Sequence, residues 1–132
     1  MIDNAAFHFR YGQCHAMALA LHGLTGLPLG IVAGEYGDPA APQLECCRPV
    51  VMVGEQAYLD VDGYHQVSET AMIGFSNAVH AIRLVPAPRS EVAGFFGTPV
   101  DPAMVRMACA YVEQDPALRS QLARFRPVDV VA

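Results

Sequence analysis

The segment Cys14-His15-Ala16-Met17-Ala18-Leu19-Ala20-Leu21 carries no Asp, Glu, Lys or Arg on any face when read at helical spacing. A helix that is apolar nearly all round holds only when enclosed, so this one has to sit inside a domain with other elements against several of its faces. The expected helix runs from about Gln13 to His22 or Gly23. Gly23 and Gly26 are C-terminal signals, and Pro28 prevents continuation. The chain has 132 residues, enough for one domain with a real core and too few for two.

The remaining elements follow from alternation and turn chemistry. Leu29 to Ala33 reads as a strand and residues 37–43 as a loop. Leu44 to Val53 reads as a second strand, which Pro49 either delays until Val50 or confines to an edge. Gly54-Glu55-Gln56 is its turn and Ala57 to Val61 its hairpin partner. Ser68 to Phe75 is expected as a short helix, and Val79 to Val85 as a strand closed by Pro86 and Pro88. Asp101-Pro102 and Asp115-Pro116 each match an aspartate cap followed by proline in the first turn. Val105, Ala108, Cys109 and Val112, then Leu118, Leu122 and Phe125, recur at helical spacing behind those caps, which makes Cys109 a packing residue. The expected fold is α+β: a buried N-terminal helix carrying Cys14, packed on a small antiparallel sheet, with extra C-terminal helices. Residues 1–132 form a single domain in this reading, with a core over about 10–85 and a helical part over about 99–126.

Apolar residues make up 53% of the chain and charged ones 16%, yet no apolar run reaches the roughly 18 residues that span a bilayer, so no membrane role is expected. The opening Met1-Ile2-Asp3-Asn4-Ala5 has neither a basic n-region nor an apolar h-region, which makes cytoplasm the expected location. Net charge is −5 and the basic residues are all arginine, scattered without a patch, so nucleic acid is not an expected partner. Cysteines 14, 46, 47 and 109 are expected as reduced thiols, and adjacent Cys46 and Cys47 have poor geometry for a mutual bridge. Cys14, His15, Cys46 and Cys47 have donor atoms suited to zinc, but their spacing matches no known pattern, and no metal is expected. No cofactor is expected either: Gly94 to Gly97 encloses Phe95-Phe96 and precedes no basic helix start, unlike a phosphate loop.

Cys14 is the residue with chemistry to offer. At a helix start the unpaired amides and the macrodipole stabilise a thiolate, and with a cation nearby they take a thiol from about 8.5 to between roughly 3.5 and 7.5. The same amides can hold an oxyanion. A cysteine among small apolar residues is also ordinary core, and position alone does not choose between the two.

Gly12-Gln13-Cys14-His15, Ala18, Ala20-Leu21-His22, Thr25-Gly26-Leu27-Pro28 and Tyr58-Leu59-Asp60-Val61-Asp62-Gly63 together resemble the core of small bacterial and phage papain-like domains. Related domains occur in polymorphic toxins and in transglutaminase- or deamidase-like proteins. The likeness covers roughly residues 10 to 64. It implies Cys14 as nucleophile and Asp60 as the acid that orients the base, with the Cys14 amide and Gln13 supplying an oxyanion hole. Asp62 alternates with Asp60 and competes for that role. Where the pattern wants a histidine at the start of the hairpin, this chain has Arg48-Pro49. Arginine does not release its proton at accessible pH, although it can pair with Asp60 and act on Cys14 as a fixed charge. Among the histidines, His15 points about 100° away around the helix and His22 lies about 12 Å along it. His65 reads as an exposed loop residue, His8 has no placement, and His80, in a strand that could neighbour the hairpin, is the best substitute base.

Two functions follow. The first is a papain-like domain with a degenerate Cys14/Arg48/Asp60 site that acts mainly by binding or inhibiting a protein. A phage or mobile-element inhibitor of a host defence, of the anti-CRISPR type, would be an example. The alternative is an active cysteine-dependent amide hydrolase, deamidase or acyl transferase using Cys14, with His80 or His65 moving the proton. The apolar composition and the candidate exposed aromatics Phe95, Phe96 and Tyr64 favour a protein partner, with a homodimer as one form of it.

Overall fold

The computed structural model describes residues 9–10, 12–70, 75 and 78–125. The apolar helix α1 spans Cys14–Thr25 and buries every residue from Cys14 to Leu21. It ends where the backbone turns left-handed at Gly26 (φ 74°), whose N–H donates to the His22 carbonyl at 2.8 Å. Side chains lock that end. The Thr25 hydroxyl donates to the Leu21 carbonyl at 2.7 Å and accepts from the Leu27 amide, while His22 Nδ1 donates to the Leu27 carbonyl at 2.6 Å. These bonds carry the helix a few residues past its expected end.

The chain then lays down β1 (Leu29–Tyr36), β2 (Gln43–Met52), β3 (Ala57–Asp60) and β4 (Gly63–Gln66), a single 3₁₀ turn (Val67–Glu69), and β5 (Val79–Pro86). Three helices follow: α2 (Arg89–Ala93), α3 (Pro102–Gln114) and α4 (Pro116–Ala123). The strands form one antiparallel sheet in the order β4-β3-β2-β1-β5. Asp101 and Asp115 cap α3 and α4 as their sequence predicts. Asp101 accepts from the Ala103 amide, and Asp115 from the Ala117 and Leu118 amides.

One core joins α1 to the sheet and to the C-terminal helices. Met17, Leu19 and Leu21 meet Leu29, Val51 and Leu59 from the sheet, and Ala108, Val112, Leu118 and Leu122 from α3 and α4. The other face of the sheet carries a smaller cluster of Val32, Val50, Met52, Tyr58 and Leu84. The protein is thus α+β, with the N-terminal helix on a five-stranded antiparallel sheet and helices added after it. No helix among the described residues is long and apolar enough to cross a membrane.

Two expectations need correction. Pro49 neither delays β2 nor puts it on an edge: β2 is central, and Pro49 pairs with Ile31 of β1. The proline instead limits the other side, where β2 and β3 pair only through Val51–Leu59 and Met52–Tyr58. The expected helix over Ser68 to Phe75 is only the 3₁₀ turn ending at Glu69, with Thr70 already extended; most of the remainder lies outside the described residues. Strand β4 and the short α2 were not anticipated.

Leu59 of β3 is fully buried in the core that the sheet shares with α1 and the C-terminal helices. Leu59→Ala is expected to lower unfolding free energy by about 2–5 kcal/mol in a denaturant titration, with the slope of the transition unchanged.

Candidate functional site

The site is built where the sheet fails to close. Beyond Val51, β2 and β3 stop pairing, and β2 carries an extra residue: Val32 faces Arg48 and Ala33 faces Cys46, so Cys47 is a bulge. A bulge bends its strand and re-aims the neighbouring side chain, here Arg48. The N-terminus of α1 reaches the resulting gap, and Cys14, Arg48 and Asp60 line one cavity there with Phe9, Arg10 and Leu59. The cavity measures about 10 Å³, the space of a single water.

Asp60 is the hub. Its side chain is only 10% exposed, and the carboxylate accepts from three donors. The Asp62 amide and His65 Nε2 both reach Oδ1 at 2.8 Å, and Arg48 Nη1 reaches Oδ2 at 3.4 Å. His65 lies directly across from Tyr58 in the β3–β4 pair, with ring centroids 5.1 Å apart and the planes tilted by 32°. The Tyr58 hydroxyl continues the network to Thr70 Oγ1 at 3.0 Å.

Electrostatics follow from that arrangement. Burial pushes the Cys14 thiol up from 9.0 to about 11, although the Arg48 charge and the amides of Cys14 and His15 pull the other way. The helix-start effect is therefore present and outweighed, because a thiolate loses more hydration in this cavity than the amides and one guanidinium return. Burial also opposes the Arg48 charge, but Asp60 and Cys47 more than compensate, so Arg48 stays protonated. The hydrogen bond to Asp60 raises His65 above its ordinary 6.5. Burial lowers His15, which lies against the edge of Phe96 with its Nδ1 unpartnered.

The structure brings Cys14, Arg48 and Asp60 together and leaves His80 out. β5 neighbours β1, so two strands separate it from β3, and His80 is exposed. His65, read from sequence as an exposed loop residue, is on β4 and partly buried against Asp60. Asp60 and Asp62 separate as well. β3 ends at Asp60, and Asp62 turns outward to a bidentate pair with Arg10, at 2.8 Å from Nε and 2.5 Å from Nη2. That pair ties the segment before α1 to the β3–β4 turn, beside the cavity. The sequence did hold a signal for His65. Asp60 and Gly63 flank a two-residue turn, and Gly63 has the positive φ (103°) that lets a second strand return. Among the described residues, no three His, Cys, Asp or Glu side chains form a metal-binding group.

Fold and site together define a single-sheet α+β domain with a closed cysteine–arginine–aspartate cluster. No family model, curated protein or solved structure matches the chain.

The His65–Asp60 bond has a pH signature. His65 binds its proton more tightly when folded, so its contribution to stability is complete below the unfolded value near 6.5 and is lost as pH rises through the higher folded value. An NMR titration of the His65 ring is expected to give a midpoint above 6.5, falling towards 6.5 in Asp60→Asn. Equal midpoints in the two proteins would show that Asp60 does not hold the imidazolium.

Proposed function

We propose that this chain is a papain-like domain whose Cys14/Arg48/Asp60 site is degenerate, and that it works mainly by binding or inhibiting another protein. The observation that carries the reading is Arg48, ion-paired to Asp60 at 3.4 Å in the cavity that also holds Cys14. A hydrolase of this class needs a base beside the thiol that can take a proton and return it, and a guanidinium does neither. Loss of a general base slows such chemistry by about 10²- to 10⁴-fold. A thiol raised to about 11 and a cavity of about 10 Å³ add to the barrier, since little thiolate forms at neutral pH and an acyl substrate has no room. His65 is held by Asp60 through Nε2 but does not line the cavity that holds Cys14, where Arg48 stands beside the thiol instead. The inhibitory role implied by the phage-type resemblance is one form of such binding. Exposed Leu44, Tyr64, Phe96 and Met107 supply apolar contact surface for it.

The test is alkylation of Cys14 by iodoacetamide as a function of pH, read by peptide mass spectrometry on the folded protein. Relative to a thiol at 9.0, one at about 11 carries about 100-fold less thiolate at neutral pH, a loss only partly offset by its greater nucleophilicity, so buried Cys14 is expected to lag behind exposed Cys46. A labelling midpoint well below 8 at Cys14, or turnover of an amide or thioester that Cys14→Ala abolishes, would establish the enzyme instead. Arg48→His supplies the complementary arm. Amide or ester hydrolysis gained by this variant and absent from the wild type is the outcome expected of a site that has lost its base.

A further inference from the structure

His15, the second residue of α1, is 5% exposed, and its Nδ1 is buried without a hydrogen-bond partner. A neutral imidazole tolerates this with Nδ1 as a bare acceptor. Protonation makes both ring nitrogens donors, so the same atom becomes a buried N–H on a desolvated cation. The acids on elements packed against α1 are Glu35 of β1, Glu45 of β2, Asp60 of β3, Glu91 of α2 and Glu113 of α3, with Asp101 at the α3 cap. Asp60 is taken by Arg48 and His65, and none of these acids offsets burial at His15. Arg48, Arg89 and Arg106 on the same elements, and the positive end of α1 itself, add to the cost of a further cation. The thiols and phenols there are uncharged near pH 6.

The cover over this ring is thin. Phe96 stands on it with centroids 4.8 Å apart and planes at 85°, and is itself 46% exposed, so one solvent-facing ring lies between the imidazole and water on that side. Phe95 braces Phe96 at 5.1 Å. Both rings belong to the turn from Gly94 to Val100, which joins α2 to α3 and has no titratable side chain. The backbone bonds of the turn run to itself and to α2: Phe95 donates to Val92, Gly97 to Gly94, and Val100 closes the base on Ala93 at 2.9 Å. The tip therefore leaves α1 without breaking any of them.

We propose that the Phe95–Phe96 turn is an acid-operated flap, which closes on neutral His15 and lifts when the imidazole is protonated, exposing both rings. The imidazolium finds water for its N–H groups only in the lifted form, whereas the neutral ring buries apolar surface under Phe96 in the closed one. Buried Val92 and the Ala93–Val100 bond hold the base of the turn, so the core stays as it is. Burial lowers the affinity of covered His15 for its second proton below the ordinary 6.5. The advantage of the closed form is therefore complete above 6.5 and is lost as pH falls through 6.5 towards the lower, covered value. The open-to-closed ratio about doubles on the way down to 6.5 and then rises by at most about tenfold per pH unit, until the covered ring titrates too. His65 responds in the opposite sense, since the fold holds its proton more tightly, so a local probe reports the flap and overall stability does not. The flap does not depend on the binding reading above, because acid exposes the rings whether or not a partner uses them.

The experiment follows the whole chain by NMR while pH is lowered from the alkaline side through 6.5, with ring-labelled histidine and phenylalanine and a soluble gadolinium chelate that relaxes solvent-exposed rings. The His15 ring is expected to titrate below 6.5, and relaxation at the Phe95 and Phe96 rings to rise with the same midpoint while Phe9 and Phe125 stay unchanged. In His15→Gln the rise is lost. In Phe96→Ala the His15 midpoint moves up towards 6.5, because water then reaches the imidazole directly. Relaxation at Phe95 and Phe96 that stays flat through the His15 titration, or that still rises in His15→Gln, overturns the proposal. So does a His15 midpoint that stays in place or falls in Phe96→Ala, since Phe96 is then either no cover or a support for the imidazolium. Should His15→Gln fail to fold, Phe96→Ala decides alone, its ring being exposed and outside both core clusters.

Discussion

Everything in this protein depends on enclosing α1. From Cys14 to Leu21 the helix offers water no polar face, so its burial requires the sheet on one side and α3 and α4 on others. The C-terminal helices are part of that enclosure, since Ala108, Val112, Leu118 and Leu122 complete the cluster that begins at Met17 and Leu21. The same burial decides the state of the thiol. A rise from 9.0 to about 11 corresponds to about 3 kcal/mol against the thiolate, after the helix amides and Arg48 have contributed in its favour. The constraint that builds the fold thus holds Cys14 protonated.

Around the helix start, local departures from regular strand pairing accommodate a charged cluster inside a greasy domain. Pro49 brings no N–H to the ladder, the extra residue Cys47 bends β2, and β3 pairs with β2 at two positions only. The gap is filled by a carboxylate with its acceptors used: Asp60 takes the Asp62 amide, His65 and Arg48. A partly buried charge paired in this way anchors the two hairpins to each other, and removing one partner would leave the others exposed to an uncompensated charge. Arg48 fits that anchoring role well and a proton shuttle not at all.

The sheet edges show a second asymmetry. β4 is guarded, with Gln121 of α4 accepting from the Tyr64 amide and Phe125 stacked on Tyr64 at 5.6 Å. β5, which is longer, pairs only with β1 among the described residues and has the 3₁₀ turn packed against it. Natural sheets usually blunt long edges, and Arg83 does so only in part.

How much of this was legible in the chain depends on the range of the physics involved. Helix α1, both aspartate-capped C-terminal helices, the β2–β3 hairpin and β5 were readable because caps, turns and hydrophobic period are local properties of a few consecutive residues. Cys14 at a helix start was readable for the same reason. Pairing partners were not. Whether β5 joined β1 or the hairpin decided the fate of His80, and no residue near His80 encodes that choice. His65 was missed because the return strand after Gly63 is four residues long, too short for alternation to register. The state of Cys14 was beyond the sequence altogether. Helix position pulls the thiol down and burial pushes it up, and burial comes from side chains of α1, β2, β3 and the segment before the helix that only the assembled structure brings together.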